Sequence, residues 1–254
     1  MSDLMYPVEI VTLPSQGKYY PKGHPLRESG GQLELKGMTA KEEDILTSTN
    51  LIANGTVMDR LMESLVVHKG VKPADLNTGD LNAVVIASRV LAYGKDYPIE
   101  IDCDSCEEKI EHTVDLTQLE SPDDLIDVNE DGHHQFVTET GLNITVRPLT
   151  RGDELDIENT DKILSKRYSK GLTTSVTSRL KQIIVSINGE TDKSILSSMV
   201  ENLVVKDSKL IREEFDKINP SIDMTMEVTC EGCGHTMKGG MPIGLNFFWP
   251  DIGI

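Results

Sequence analysis

The chain alternates apolar and polar residues over QLELK (32–36) and again over NITVR (143–147), the two-residue period of a half-buried strand. Each strand runs through a threonine into an acidic, helix-favouring stretch, MTAKEEDIL after the first and LTRGDELDI after the second. Thr39 and Glu42 have the spacing of a capping box, in which hydroxyl and carboxylate satisfy free amides at a helix start. Thr150 and Asp153 repeat it with a shorter acid. The period then lengthens. Val57, Leu61, Met62 and Leu65 in TVMDRLMESLVV, and Val176, Leu180, Ile183 and Ile184 in VTSRLKQIIVSI, each mark one apolar helix face. A further helix follows in both places, TGDLNAVVIASRVLAYG (78–94) and KDSKLIREEFDKIN (206–219). Each gives way to a strand that runs straight into two cysteines, YPIEIDCDSC and IDMTMEVTCEGC.

The order strand, capped helix, helices, strand, CxxC, strand thus occurs twice, and a duplication accounts for it. Coincidence between two amphipathic patterns is the alternative. The expected fold class is α+β, with residues 32–116 as a first repeat and 136–254 as a second. Residues 1–31, rich in Pro, Gly and Tyr, read as an extended N-terminal arm that forms no core by itself. Residues 117–135 read as an acidic connector ending in a hairpin into FVTETGLNITV. Its DVNEDG lacks the spacing and closing Glu of a calcium loop. The apolar C-terminal tail, MPIGLNFFWPDIGI, is expected to dock on its own core, a contact for a partner subunit being the alternative.

With 254 residues, 38% of them hydrophobic and 26% charged, the chain has material for a real core. No apolar run approaches the roughly 20 residues that span a bilayer. The opening MSDLMYPVEIV lacks the basic and apolar regions of a secretory signal. An intracellular, cytoplasmic site of synthesis is therefore expected, where thiols stay reduced. The net charge is −17, from 25 Lys+Arg against 42 Asp+Glu, a field that repels nucleic acid unless a basic patch overrides it. The nearest such patch, with Lys162, Lys166, Arg167, Lys170, Arg179 and Lys181, has the spacing of a solvated helix face.

The four cysteines are Cys103, Cys106, Cys230 and Cys233. A redox CxxC of the thioredoxin kind sits at a helix N-terminus, whose dipole lowers the thiol pKa. Both pairs here lie between strands, so that support is missing. A turn between strands instead points both sulfurs to one side, and two such knuckles facing each other make a closed tetrahedral zinc site with four thiolates at about 2.3 Å. Such a site is structural, having no open position for water. Gly232 and Gly234 are expected to supply the left-handed backbone of the second turn, where the first has Glu107. Residues 107–229, 123 positions, separate the pairs, and only packing of one repeat on the other brings them together. His112 and His235 are near enough in sequence to compete as ligands, but four cysteines already fill the shell.

No nucleophile elbow, phosphate loop, dinucleotide fingerprint or zinc-protease motif occurs. His133 and His134 read as exposed, without a carboxylate partner. Glu42, Glu43 and Asp44 read as helix surface.

Leu13, Pro14, Ser15, Gly17 and Tyr20, then Met38, Thr39, Glu42, Glu43 and Leu46, then Asn50, Leu51, Ile52 and Gly55 form a pattern that resembles the baseplate hub subunits and baseplate assembly proteins of T-even-like contractile-tailed bacteriophages. The resemblance is best over residues 13–66. It implies a structural or assembly role in the virion tail baseplate, with other baseplate or tail proteins as partners. No enzymatic activity, small-molecule substrate, nucleic acid or membrane is implied. On this basis residues 1–31 are an arm lying on a neighbouring subunit, and structural Zn2+ on the four cysteines staples the repeats into one rigid body. A zinc-ribbon adaptor for nucleic acid or polymerase, and a dithiol oxidoreductase, are the alternatives.

Overall fold

The computed structural model of the protein describes residues 7–122, 124–167, 175–241, 243, 247 and 248, with the side chains of 164–167 and 175 left aside. It opens with Val8–Thr12 (β1), a short helix Pro25–Glu28 (α1) and Gln32–Lys36 (β2), and β1 pairs antiparallel with β2. Helices Ala40–Leu46 (α2), Thr49–Asn54 (α3), Val57–Leu65 (α4) and Thr78–Tyr93 (α5) follow, then the hairpin Asp96–Asp102 (β3) and Lys109–Asp115 (β4). A second hairpin, His134–Val137 (β5) and Asn143–Val146 (β6), leads to Arg151–Arg167 (α6) and Ser175–Ile183 (α7). Ile184–Ile187 (β7) adds to β6, then come Lys193–Glu201 (α8) and Val205–Lys217 (α9). The hairpin Thr225–Thr229 (β8) and Thr236–Gly240 (β9) ends the series. This is a mixed α+β chain with four separate antiparallel sheets among the described residues.

One departure from the periodicity lies at IIVSI. There the helix stops at Ile183 and the β-branched run becomes β7, because pairing of Ile187 with Ile144 satisfies its backbone in the sheet. A second concerns the expected arm. Over residues 7–31 it packs on its own chain, with Leu13, Tyr20 and Leu26 buried among α4, α5 and β2, and Tyr19 buried with β6, α7 and α9. Polar contacts hold it there. Ser15 donates to Asp80 from its amide (2.9 Å) and hydroxyl (2.6 Å), and the Tyr20 hydroxyl donates to the same carboxylate at 2.8 Å. The Tyr20 oxygen in turn accepts the Asn77 amide at 3.1 Å. All four residues are buried. Burial pushes the Asp80 carboxyl above its usual value, with the Ser15 and Tyr20 bonds pulling the other way. Gly17 makes the turn possible: its φ is +75°, and a Cβ there would lie 2.2 Å from the Leu26 carbonyl oxygen.

Two apolar clusters result, one from the first half and one from the second, and each borrows from the other end of the chain. Tyr19 sits in the later cluster. Phe247 and Phe248, from the C-terminal tail, are fully buried in the earlier one, where Phe247 meets Tyr97 edge-on at 4.9 Å. Met241 is buried in the same cluster and Ile243 packs against it, while the remainder of that tail, Trp249 included, lies outside the described residues. Arg151 bridges the halves through Asp59 (2.8 and 3.1 Å), and the Thr78 amide donates to the Leu149 carbonyl. Buried Arg89 ties the end of α5 to β3 through the carbonyls of Gly94 and Asp96.

Both capping boxes form, and each carries a cation from three residues before its threonine, Lys36 at the end of β2 and Arg147 just after β6. The Glu42 carboxylate accepts the Thr39 amide and hydroxyl and the Lys36 ammonium at 2.7 Å; the Asp153 carboxylate accepts the Thr150 amide and hydroxyl and the Arg147 guanidinium at 2.7 and 2.8 Å. Glu42 is thus no surface residue. It is completely buried, and Ser64 of α4 donates to it as well. Burial alone raises its pKa, but the bonds from Lys36, Ser64 and Thr39 outweigh that and hold it at about 2. His133 and His134 also differ from expectation. His134 meets Glu214 of α9 at 3.0 Å, both half-buried, and burial pushes the His133 pKa down.

Two outcomes follow. Tyr20→Phe should destabilise the fold by about 2 kcal/mol in urea melts, since it deletes a buried bond to a carboxylate. The Glu42 carboxylate, near 2 when folded and about 4.3 when unfolded, contributes stability that is complete above the unfolded value and fades as pH falls through the folded one. Glu42→Gln should therefore flatten the acid decline of Tm between about pH 4.3 and 2 while lowering Tm at neutral pH.

Candidate metal centre

The two CxxC stretches are built alike. Each is a six-residue turn closing an antiparallel hairpin, 103–108 between β3 and β4 and 230–235 between β8 and β9. In the first the Cys103 amide donates to the Glu108 carbonyl (2.9 Å) and the Glu107 amide to the Cys103 carbonyl (2.9 Å). In the second the Cys230 amide donates to the His235 carbonyl (2.8 Å) and the Gly234 amide to the Cys230 carbonyl (2.8 Å). The position after the second cysteine is left-handed in both, at φ +60° for Glu107 and +73° for Gly234. Gly232 is not left-handed, contrary to expectation. It instead lets the Glu108 carboxylate lie against the turn, where a Cβ would fall 1.7 Å from Oε2.

These turns meet tip to tip. The sulfurs of Cys103, Cys106, Cys230 and Cys233 all lie within 4.8 Å of one another, with Cys103 and Cys233 at 3.7 Å and Cys106 and Cys230 at 3.7 Å. All four are free thiols. Cys103 and Cys230 are buried, Cys106 and Cys233 exposed. Four sulfurs at about 2.3 Å from a tetrahedral centre stand about 3.8 Å apart, so the spacing fits the donor set of a structural zinc. Neither His112 nor His235 joins the cluster: His235 is exposed, and His112 lies in β4 opposite Ile99.

Proximity also sets the protonation. The amides of Ser105 and Cys106 hold the Cys103 thiol down to about 7, with smaller help from the Cys106 and Cys233 thiols. For Cys106 the Glu108 amide works in the same direction, but the thiols of Cys233, Cys103 and Cys230, together with burial, push it up to about 12. Cys230 is raised too: burial and the Cys233 thiol outweigh the pull of the Cys233 amide. A thiolate at Cys103 thus forms readily and opposes one at Cys106.

Elsewhere the sequence-based candidates are ordinary surface. Arg179 pairs with Glu154 and Lys181 with Glu201, while the side chains of Lys166, Arg167 and Lys170 lie outside the described residues. Glu108, whose carboxylate reaches 3.6 Å from the Cys230 sulfur, had no signal in the sequence beyond lying near the turn. Among the described residues no helix is long and apolar enough to cross a membrane.

The architecture is therefore that of a mixed α+β protein with two hairpins joined at a four-cysteine cluster. A family model described as T4 bacteriophage base plate protein matches residues 5–249, and the chain belongs to that family of phage baseplate proteins. No curated protein and no solved structure matches the chain.

Glu107→Gly should raise stability by about 0.5–1 kcal/mol, because relief of a left-handed Cβ exceeds the entropy glycine adds to the unfolded chain. Thermal unfolding of the two proteins side by side checks it.

Proposed function

We propose that the protein is a non-catalytic structural or assembly subunit of the phage tail baseplate, associated with its hub, in which one structural Zn2+ on Cys103, Cys106, Cys230 and Cys233 clasps two related repeats. Membership of the baseplate family supports the setting. The convergence of four sulfurs from turns 123 residues apart carries the clasp. Held there, a metal closes a loop long enough to remove about 5 kcal/mol of chain entropy from the unfolded state. It supplies rigidity and no chemistry, since four thiolates leave no coordination position for a substrate.

The repeat reading has local support of the same kind. Both hairpin turns use the same pair of backbone bonds. Lys36, Thr39 and Glu42 stand at the same three-residue spacing as Arg147, Thr150 and Asp153 and make the same cation–carboxylate–cap arrangement. The hairpins β3–β4 and β8–β9 then end residues 32–116 and 136–254 in equivalent places. Other baseplate or tail proteins are the partners, the site of action is the virion tail, and synthesis takes place in the host cytoplasm.

Purified protein should contain one zinc per chain by elemental analysis, and its thiols should resist alkylation until a chelator is added. Cys103→Ser and Cys230→Ser should destabilise the fold equally, by several kcal/mol. Zinc-free protein with readily alkylated thiols overturns the clasp, and loss of order around residue 103 alone in Cys103→Ser overturns a shared site. The protein's absence from purified baseplates and from their assembly intermediates overturns the role.

A further inference from the structure

Beside the sulfur cluster, with Cys230 in its wall, the two hairpins leave a cleft of about 580 Å3 between β4 and β8. Its walls include Lys109–His112 of β4 on one side and Glu227–Thr229 of β8 on the other, with Glu108, Cys230, Glu231 and Gly232 of the turns at one end and Glu100 of β3 beside Lys109. Successive side chains of a strand point to opposite faces, so a cleft that meets every residue of a run faces the strand's edge. β4 pairs with β3 and β8 with β9, and the two sheets are not bonded to each other. Alternate amides and carbonyls of both strands are then directed towards the cleft. Around it stand Glu100, Glu108, Glu111, Glu227 and Glu231, against a single lysine, Lys109, which is already paired with Glu100.

We propose that this cleft receives an extended, lysine- or arginine-rich segment of another protein chain, which adds as a strand between β4 and β8 while its basic side chains meet the glutamates. The edges supply main-chain bonding and the carboxylates choose the sign of the guest. An acidic strand gains the same edge bonds but meets four glutamates of like charge besides the Lys109-paired Glu100, on a chain of net charge −17. Nucleic acid is repelled by the same field. An inserted strand would turn two two-stranded hairpins, each marginal alone, into one five-stranded sheet. The inference rests on the hairpin tips being held together as in the proposed clasp; it does not depend on which metal holds them.

The test is fluorescence anisotropy with the full chain and an eight-residue peptide of alternating lysine and valine. An alternating glutamate–valine peptide and a lysine–valine peptide N-methylated at every second amide serve as controls. Saturable binding of the basic peptide is expected at about 50 mM salt, weakening at least about tenfold by about 300 mM. N-methylation, and the double variant Glu111→Lys/Glu227→Lys, should each weaken it at least about tenfold. Absence of saturable binding, or binding indifferent to either change, overturns the proposal. The N-methylated peptide on the unaltered chain decides the matter if the variant unfolds. Zinc content measured on the same samples separates failure of the cleft from failure of the clasp, since zinc-loaded protein that ignores the peptide refutes only the cleft.

Discussion

Four thiols are held within 4.8 Å of one another by the packing of both halves of the chain, and at that distance each thiolate that forms disfavours a thiolate beside it. The opposing shifts at Cys103 and Cys106 are the electrostatic record of that constraint. The turns contribute amides aimed at the sulfurs. The hairpins contribute stiffness. The side chains around them are mostly acidic, Asp102, Asp104, Glu107, Glu108 and Glu231 against Lys109, which pairs with Glu100. A metal resolves the imbalance, which is why the proposed zinc and the tertiary fold are coupled rather than additive.

The rest of the molecule shows the same preference for joining distant parts through buried polar contacts. The N-terminal turn is fastened to α5 by the carboxylate of Asp80. The Arg151–Asp59 pair crosses from one half to the other, and aromatic residues are exchanged in both directions, Tyr19 forwards and Phe247 and Phe248 backwards. The cluster of the first half therefore includes residues from the last ten of the chain, so that half is completed only after its sequel has been made. This construction ties the two clusters together without a very large single core.

Much of this was legible. Strands, capped helices and hairpins follow from periods of two and of three to four, and both capping boxes formed where the Thr-x-x-acid spacing placed them. The cysteine pairs were recognisable as strand-flanked turns. Where the local reading failed, long-range packing had overruled it. The run IIVSI carries helical spacing, yet an open sheet edge beside it made a strand the better use of its backbone. Glu42 reads as surface because acids at helix starts commonly are, and only the arrival of Lys36 and Ser64 makes its burial stable. His134 found a carboxylate 80 positions away in sequence.

The sequence by itself determined most of the local elements, the left-handed turn at Gly234 and the chemistry available to four sulfurs, because these depend on neighbours within a few residues. Only the tertiary structure decided that the two pairs meet, that the N-terminal stretch packs inward instead of extending, and that two strand edges face one another across an acidic cleft. Those outcomes depend on which surfaces remain unsatisfied after every local element has formed, and no spacing along the chain records that.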